Sequence, residues 1–351
     1  MTVLQPFFSD IDWQPVMDAI SQVDSIVLIT HCNPDGDGIG SQVALYDALS
    51  EAVEGDNTAQ DDTAQGGTDR RRRVCMHNRD GVPRIYSFLK HADLVQVGDW
   101  PPNATKPDVI IALDCGARGR LGMPDTWFDG PTLINIDHHA SNRRFGDINI
   151  VDARYCATGA MVFDLLIAMK CALNADRARA IYAAVLTDTA SFRLASCTPA
   201  VYRMAAELME AGAEPWPISV QVYESRSLSG LHIMTACLAT LELHDNGRSA
   251  WVYVTDDIYK KTGADVEDTE GLIDYARSID GVEVAVFIRS DEHVAGRWKV
   301  SFRGKTFADV GALAGELGGG GHVYAAGCQL SGTLEEVRVR VKTVVSRIFA
   351  D

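Results

Sequence analysis

Through the first half of the chain, short runs of apolar residues alternate with stretches in which apolar positions return every third or fourth residue. Residues 25–30 read Ser-Ile-Val-Leu-Ile-Thr, 109–113 read Val-Ile-Ile-Ala-Leu, and 133–136 read Leu-Ile-Asn-Ile. Such runs predict strands covered on both faces, as in parallel sheets. Elsewhere the period lengthens. Ile39, Val43 and Tyr46 predict a helix over 39–49, and Met161, Leu165 and Ala168 predict one over 158–170. Another is expected over 175–186. Strands alternating with helices predict βαβ units around a parallel sheet.

Past residue 228 the pattern changes. A helical stretch over 228–243 leads into the polar turn His244-Asp245-Asn246-Gly247-Arg248, and runs at 250–254, 282–288 and 298–302 predict strands. A glycine-rich segment follows at 318–321. The expected fold class is α/β: a parallel-sheet domain over 1–227, a helical linker over 228–247 and a smaller α/β domain over 248–351. Residues 51–73, rich in Asp, Gln, Thr and Gly and ending in four arginines, predict a flexible surface insertion. Beside Asp56, Asp61, Asp62 and Asp69 the arginines read as a solvated loop, with no function assigned.

The 351 residues, 46% hydrophobic and 23% charged, suffice for two domains at roughly 150 residues each. No apolar run approaches the roughly 18 residues a membrane-spanning helix needs, so no membrane partner is expected. Residues 1–13 carry neither a basic start nor an apolar block, so they do not read as a secretory signal, and a cytoplasmic location is expected. Lys plus Arg 32 against Asp plus Glu 48 gives −16, which works against binding long nucleic acid. The eight cysteines form no Cys-x-x-Cys pair, so reduced, mostly buried thiols are expected rather than a zinc ribbon or disulfide framework.

Each predicted strand of the first half runs into a polar segment that carries acids or histidines. After the first comes Thr30-His31-Cys32-Asn33-Pro34-Asp35-Gly36-Asp37-Gly38, where His31, Asp35 and Asp37 offer one imidazole and two carboxylates, a donor set suited to manganese, iron or zinc. The same acids also fit a turn that caps the next helix. The second strand ends at Asp114, the third at Asp137-His138-His139. Ligands of open α/β sheets lie outside the carboxyl ends of strands, and charge gathered there is costly unless it binds a cation or partner. Asp188, after a predicted helix, reads on its own as an ordinary loop acid.

The series His31-x-Asn33-Pro34-Asp35-x-Asp37-x-x-Gly40-Ser41, then Asp114, then Asp137-His138-His139, then Asp188, resembles the DHH phosphoesterase family. Gly318-Gly319-Gly320-Gly321-His322 resembles the glycine-rich domain associated with it. The resemblance spans nearly the whole chain in order, and the 51–73 insertion falls between its motifs. It implies that His31, Asp35 and Asp114 hold one divalent ion and that Asp37, Asp114, His138 and Asp188 hold a second, manganese foremost, with Asp114 bridging. The carboxylates of Asp35, Asp37, Asp114 and Asp188 would balance the charge of two such ions. His139 would contact the phosphate or protonate the leaving oxygen. Asp137 would orient an imidazole, and Arg193 would pair with phosphate or form a surface salt bridge.

In the second domain the same resemblance implies that Gly319, Gly320, Gly321 and His322 bind nucleotide. Without side chains, backbone N–H groups approach a phosphate or base closely, and a helix starting next would favour an anion. Ser301, Arg303 and Lys305, at alternate positions, are expected on one strand face, meeting terminal phosphates or solvent. Within the family the resemblance runs to bacterial members that cleave short RNA and dephosphorylate pAp, some relatives of which hydrolyse cyclic di-AMP and pApA. The expected activity is two-metal hydrolysis of short RNA, pApA, pAp or cyclic di-AMP to mononucleotides. The expected partner is such a substrate and not long nucleic acid; a homodimer stays open. A manganese-dependent inorganic pyrophosphatase and a nucleotide-binding regulator without turnover are the alternatives. The glycine-rich segment argues against the first and the full donor set against the second.

Overall fold

In the computed structural model, which describes residues 6–21, 23–58, 72–101, 104–291, 294–321 and 323–349 (52–58 by backbone alone), the chain forms two units, Met1–Ser225 and Arg226–Asp351. The first runs through α1 (Gln14–Ser21), β1 (Ser25–Ile29), α2 (Gly36–Thr58), β2 (Arg73–Asn78), β3 (Gln96–Val97), β4 (Val109–Leu113), β5 (Thr132–Asp137) and β6 (Ile148–Val151). It closes with α3 (Thr158–Ala168), α4 (Ala175–Asp188), α5 (Pro199–Glu210) and α6 (Pro215–Tyr223). Its strands pair in parallel in the order β3-β2-β1-β4-β5-β6. The winding direction reverses between β1 and β4, the topological switch point at which open α/β sheets bind ligands.

Alternation explains why the middle strands are apolar throughout. Ile26, Leu28, Ile111 and Ile134 pack with Ile39, Val43, Met161 and Ile181 of the helices, while Val27, Ile29, Ile110 and Ala112 pack with Trp127 and Phe128 on the other face. Gly40 lets α2 lie close to α4, since a Cβ there would sit 2.5 Å from the Ala180 carbonyl oxygen. Register then levels the strand ends. Ile29 pairs with Ala112 and Leu113 with Ile136, so residues just past β1, β4 and β5 emerge side by side.

The second unit contains α7 (Leu228–Leu238), β7 (Glu242–His244), β8 (Ser249–Val254), α8 (Asp256–Thr262), α9 (Leu272–Arg277), β9 (Val284–Ser290), β10 (Arg297–Gly304), α10 (Val310–Glu316), β11 (Gly320–Gly321), β12 (Ala325–Ser331) and α11 (Leu334–Val345). Its strand order is β11-β12-β10-β9-β8-β7, with β8 and β9 parallel and the other pairs antiparallel. Val300 and Phe302 bury against Leu313, Val337 and Val341 on one face; Ala250 and Ala285 bury against Ile233, Cys237 and Leu272 on the other.

Three expectations need adjustment. The insertion expected over 51–73 begins as helix, because α2 continues to Thr58, and its last residue opens β2. Arg72 donates to the carbonyls of Ser21 (2.8 Å) and Val23 (3.2 Å), and 59–71 lie outside the described residues. The segment 228–247 is α7 followed by β7, and Ile233 and Cys237 of α7 lie in the core of the second unit. No helix starts after the glycines: they follow α10 and lead through β11 into β12. Among the described residues no helix is long and apolar enough to cross a membrane, and all eight cysteines are free thiols.

Candidate metal centre

The turn after β1 carries the first candidate ligands. Asp35 Oδ1 accepts the N–H groups of Asp37 and Gly38, both at 3.1 Å, so Asp35 does cap α2. Its side chain stays 55% exposed, and the capping oxygen lies 3.7 Å from His31 Nε2. Capping and metal binding are thus compatible for this residue. His31 places Nδ1 2.9 Å from the Cys32 carbonyl oxygen, a pairing that assigns the N–H to Nδ1 and turns Nε2 toward Asp114 Oδ2 at 3.4 Å.

Asp37 is buried in the first turn of α2, where the N-terminus of α3 meets it. Thr158 N–H donates to Oδ2 (2.6 Å), and Gly159 N–H (2.8 Å) and the Ser41 hydroxyl (3.2 Å) donate to Oδ1. The positive end of a helix dipole suits a carboxylate. Asp114, the first residue past β4, has φ +55, a left-handed conformation that is strained for a side-chain-bearing residue. Its N–H donates to the Ile136 carbonyl (3.0 Å), and Oδ1 accepts the Thr158 hydroxyl (3.1 Å). It stands between the histidines: His31 Nε2 is 3.4 Å from Oδ2, while His139 Nδ1 and His138 Nε2 are 3.5 and 3.7 Å from Oδ1.

His138 decides whether this cluster suits a cation. Its Nδ1 lies 3.3 Å from the Tyr155 carbonyl oxygen, and Nε2 is buried with no hydrogen-bond partner among the described residues. That nitrogen faces Asp188 Oδ2 at 3.4 Å and Asp37 Oδ2 and Asp114 Oδ1 at 3.7 Å each. An orphaned imidazole nitrogen aimed at three carboxylates fits a ligand shell. Among the described residues, donor atoms that could hold an ion lie within 4.8 Å of one another in three groups: His31, Asp35 and Asp114; Asp37, His138 and Asp188; and Asp114, His138 and His139.

The electrostatics point the same way. Burial, reinforced by the charges of Asp114, Asp188 and Asp35, pushes the Asp37 carboxyl well above the usual range. Asp188 rises to about 7, chiefly through burial, with His138 opposing and Asp114 and Asp35 adding. Burial also disfavours ionised Asp114, but His31, His139 and His138 outweigh it and hold the carboxyl below its ordinary value. For His31, burial pulls the imidazole down while Asp114 and Asp35 raise it, with a net rise to about 10. Without a cation the acids resist ionising together; divalent ions remove that conflict.

Residues 25–188 match the DHH family, N-terminal domain, and residues 246–349 match the DHHA1 domain. The bifunctional oligoribonuclease and PAP phosphatase NrnA of Thermus thermophilus is 33% identical over 326 residues, covering 91% of this chain and 89% of that protein. The chain belongs to the DHH family. The Bacillus subtilis protein of the same name is 26% identical over 316 residues, 89% of this chain and 91% of that one. The crystal structure of an exopolyphosphatase-related protein from Bacteroides fragilis superposes with a TM-score of 0.81, at 25% identity, over 95% of each chain. This DHH protein is accordingly a phosphoesterase-family hydrolase whose acidic and histidine groups can bind metal, and the pyrophosphatase and regulator alternatives are not favoured.

The remaining expected residues divide. Asp137, fully buried, accepts His139 Nδ1 at 2.6 Å. Arg193 is exposed and its Nε donates to the Ala190 carbonyl (2.6 Å), outside the ligating groups. Ser301, Arg303, Lys305 and the glycines belong to the second unit. Ser301 and Arg303 share a face of β10, and burial lowers the Arg303 guanidinium, with Asp274 and Glu270 opposing. Lys305 falls beyond the strand, its Nζ donating to the Ile279 carbonyl (2.9 Å). Gly319 and Gly321 have a packing reason to be glycine: a Cβ on Gly319 would lie 2.5 Å from that of Cys328, and Gly321 has φ +148. His322 lies outside the described residues. Sequence reasoning gave no role to Thr158 and Gly159, whose partners Asp37 and Asp114 are distant in the chain, nor to Asn142, nor to Ser41 beyond its place in the motif, although the partner of Ser41 is only four residues away. Asn142, shortly after Asp137-His138-His139, is the one whose position could have drawn notice.

Proposed function

We propose that this protein is a two-metal hydrolase of short RNA oligonucleotides and small nucleotides, pApA, pAp and cyclic di-AMP among them, acting with two Mn2+ ions in the cytoplasm. The observation that carries the reading is His138 Nε2, buried without a hydrogen-bond partner among the described residues and facing the carboxylates of Asp37, Asp114 and Asp188. In this reading His31, Asp35 and Asp114 hold one ion, and Asp37, Asp114, His138 and Asp188 hold the other. The ions supply positive charge and Lewis acidity against a phosphoryl group. The chain supplies the rest. Thr158 and Gly159 fix Asp37, the Thr158 hydroxyl fixes Asp114, and Asp137 orients His139 toward the phosphate or the leaving oxygen.

The names of the relatives support the substrate class. The net charge of −16 supports short substrates over long strands, which need an extended basic track. Ser301, Arg303, Lys305, Gly319, Gly320, Gly321 and His322 are proposed to contact the nucleotide; of these three glycines, Gly320 is the one at which an added Cβ meets no described atom within 4 Å. Arg193 is proposed to reach phosphate by exchanging its bond to the Ala190 carbonyl. The test is incubation with Mn2+ and pApA, pAp, cyclic di-AMP or pyrophosphate, followed by resolution of products. AMP from pApA and phosphate from pAp are expected. Phosphate from pyrophosphate alone, or nucleotide binding without products, contradicts the proposal.

A further inference from the structure

Asn142 occupies a position that neither the metal ligands nor the proposed chemistry requires. Its Nδ2 donates to Asp137 Oδ2 at 2.6 Å, to Asn135 Oδ1 at 2.8 Å and to the Cys115 carbonyl oxygen at 3.1 Å, while its Oδ1 accepts the Arg144 N–H at 2.6 Å. Three acceptors around the nitrogen and a donor at the oxygen leave the amide one orientation. Asn135, fully buried in β5, is fixed in turn, its Nδ2 donating to the same Cys115 carbonyl at 3.1 Å. The two amides therefore grip the residue that follows the strained Asp114.

The carboxylate that Asn142 holds is Asp137, which is 0% exposed. One oxygen, Oδ2, takes the Asn142 amide; the other, Oδ1, takes His139 Nδ1 at 2.6 Å. A carboxylate with only the second contact could rotate about its Cβ–Cγ bond and carry the imidazole with it. With both oxygens engaged the plane is set, and the ring of His139 is set with it. Asn142 itself is tied back, its N–H donating to the His139 carbonyl at 3.1 Å, which closes a short loop from His139 to Asn142 and back through Asp137.

We propose that Asn142 is a positioning residue that orients His139 through Asp137, with Asn135 and the Cys115 carbonyl as its anchor. The role of His139 in turnover rests on the function proposed above; the orientation of its ring does not. Outer partners of this kind typically cost about 10–100-fold in activity or metal affinity when removed.

Two measurements on the full chain test the proposal. In protein labelled with 15N-histidine and loaded with diamagnetic Mg2+, the His139 Nδ1–H gives a downfield resonance assigned by its loss in His139→Ala. Asn142→Ala is expected to move or broaden that resonance while those of His91 and His244 stay in place; an unchanged His139 signal overturns the proposal. If Asn142→Ala does not fold, Asn142→Ser, which keeps a shorter donor, is read in the same way. In the kinetic cycle with Mn2+ and pApA, Asn142→Ala is expected to lower kcat about 10–100-fold with KM nearly constant, and to add less than about threefold in the His139→Ala background. Effects that multiply in the double variant overturn it. A His139→Ala variant with full kcat removes His139 from the proposed reaction, and the resonance then decides the positioning role by itself.

Discussion

Asp188→Asn separates the cost of the acid cluster from its use. In the metal-free protein the Asp188 carboxyl is raised from 3.8 to about 7, burial first, with the charges of Asp114 and Asp35 adding. The folded state then holds a proton that the unfolded state releases, so stability falls as pH rises from 3.8 to about 7; below that window both states are protonated and nothing is lost. At about 1.4 kcal/mol per pH unit, ionised Asp188 costs on the order of 4 kcal/mol above the window. Its side chain is 31% exposed, and solvent screening brings the figure to about 2 kcal/mol. Asn keeps the shape without the charge, so in EDTA at pH 8 the variant should melt roughly 4–8 °C above wild type. Mn2+ should close that gap. At about 100-fold over its dissociation constant it stabilises wild type by about 2.7 kcal/mol, whereas a site weakened about 100-fold gains about 0.4 kcal/mol. Thermal melts with and without Mn2+ read both effects. A variant no more stable than wild type in EDTA, or one stabilised equally by Mn2+, would refute the reasoning.

Other outcomes follow from single contacts. Asp47→Ala strands the fully buried Arg177, whose Nε lies 2.8 Å from Asp47 Oδ2; with Glu51 still paired, a loss of about 3 kcal/mol is expected in urea denaturation. Glu283 accepts from the Thr306 hydroxyl and from the N–H groups of Thr306, Phe307 and Ala308 at 2.7–2.9 Å. Burial opposes its ionisation, but these bonds prevail and hold its carboxyl below 4.5. Its stabilisation is complete above that value and is lost as pH falls through the lowered one, so Glu283→Gln should flatten the acid limb of a stability-against-pH curve. Gly320→Ala should leave the melting temperature unchanged, while Gly321→Ala, at φ +148, should lower it; a rise in KM for Gly320→Ala alone would support nucleotide contact there.

The central strands were legible because β1, β4 and β5 are apolar on both faces, and a run such as Val-Ile-Ile-Ala-Leu has few other homes. The outer strands were not. β3 is two exposed residues, β6 is half-buried throughout, and β2 starts inside an arginine run that reads as loop. The strand order, and with it the switch point, had to come from three dimensions. The gathering of His31, Asp35, Asp37, Asp114 and Asp137-His138-His139 was legible because their types are costly at adjoining strand ends, whereas Asp188, the last residue of α4, came in only through the family resemblance. The side chains that hold them were not legible, since the Thr158 hydroxyl matters only once α3 meets Asp114, and the Asn142 bond to the Cys115 carbonyl only once β4 lies beside β5. The glycine-rich segment shows the opposite failing. Read as a ligand cradle before a helix, it is also a close-packed strand pairing, with Gly319 and Gly321 pressed against β12.

An anomalous difference map from crystals grown with Mn2+ tests the two-ion centre most directly. Two peaks are predicted, one among His31, Asp35 and Asp114 and one among Asp37, Asp114, His138 and Asp188, with an Asp114 oxygen reaching each. A map without a peak beside His138 Nε2, or with its peaks away from these side chains, contradicts the account.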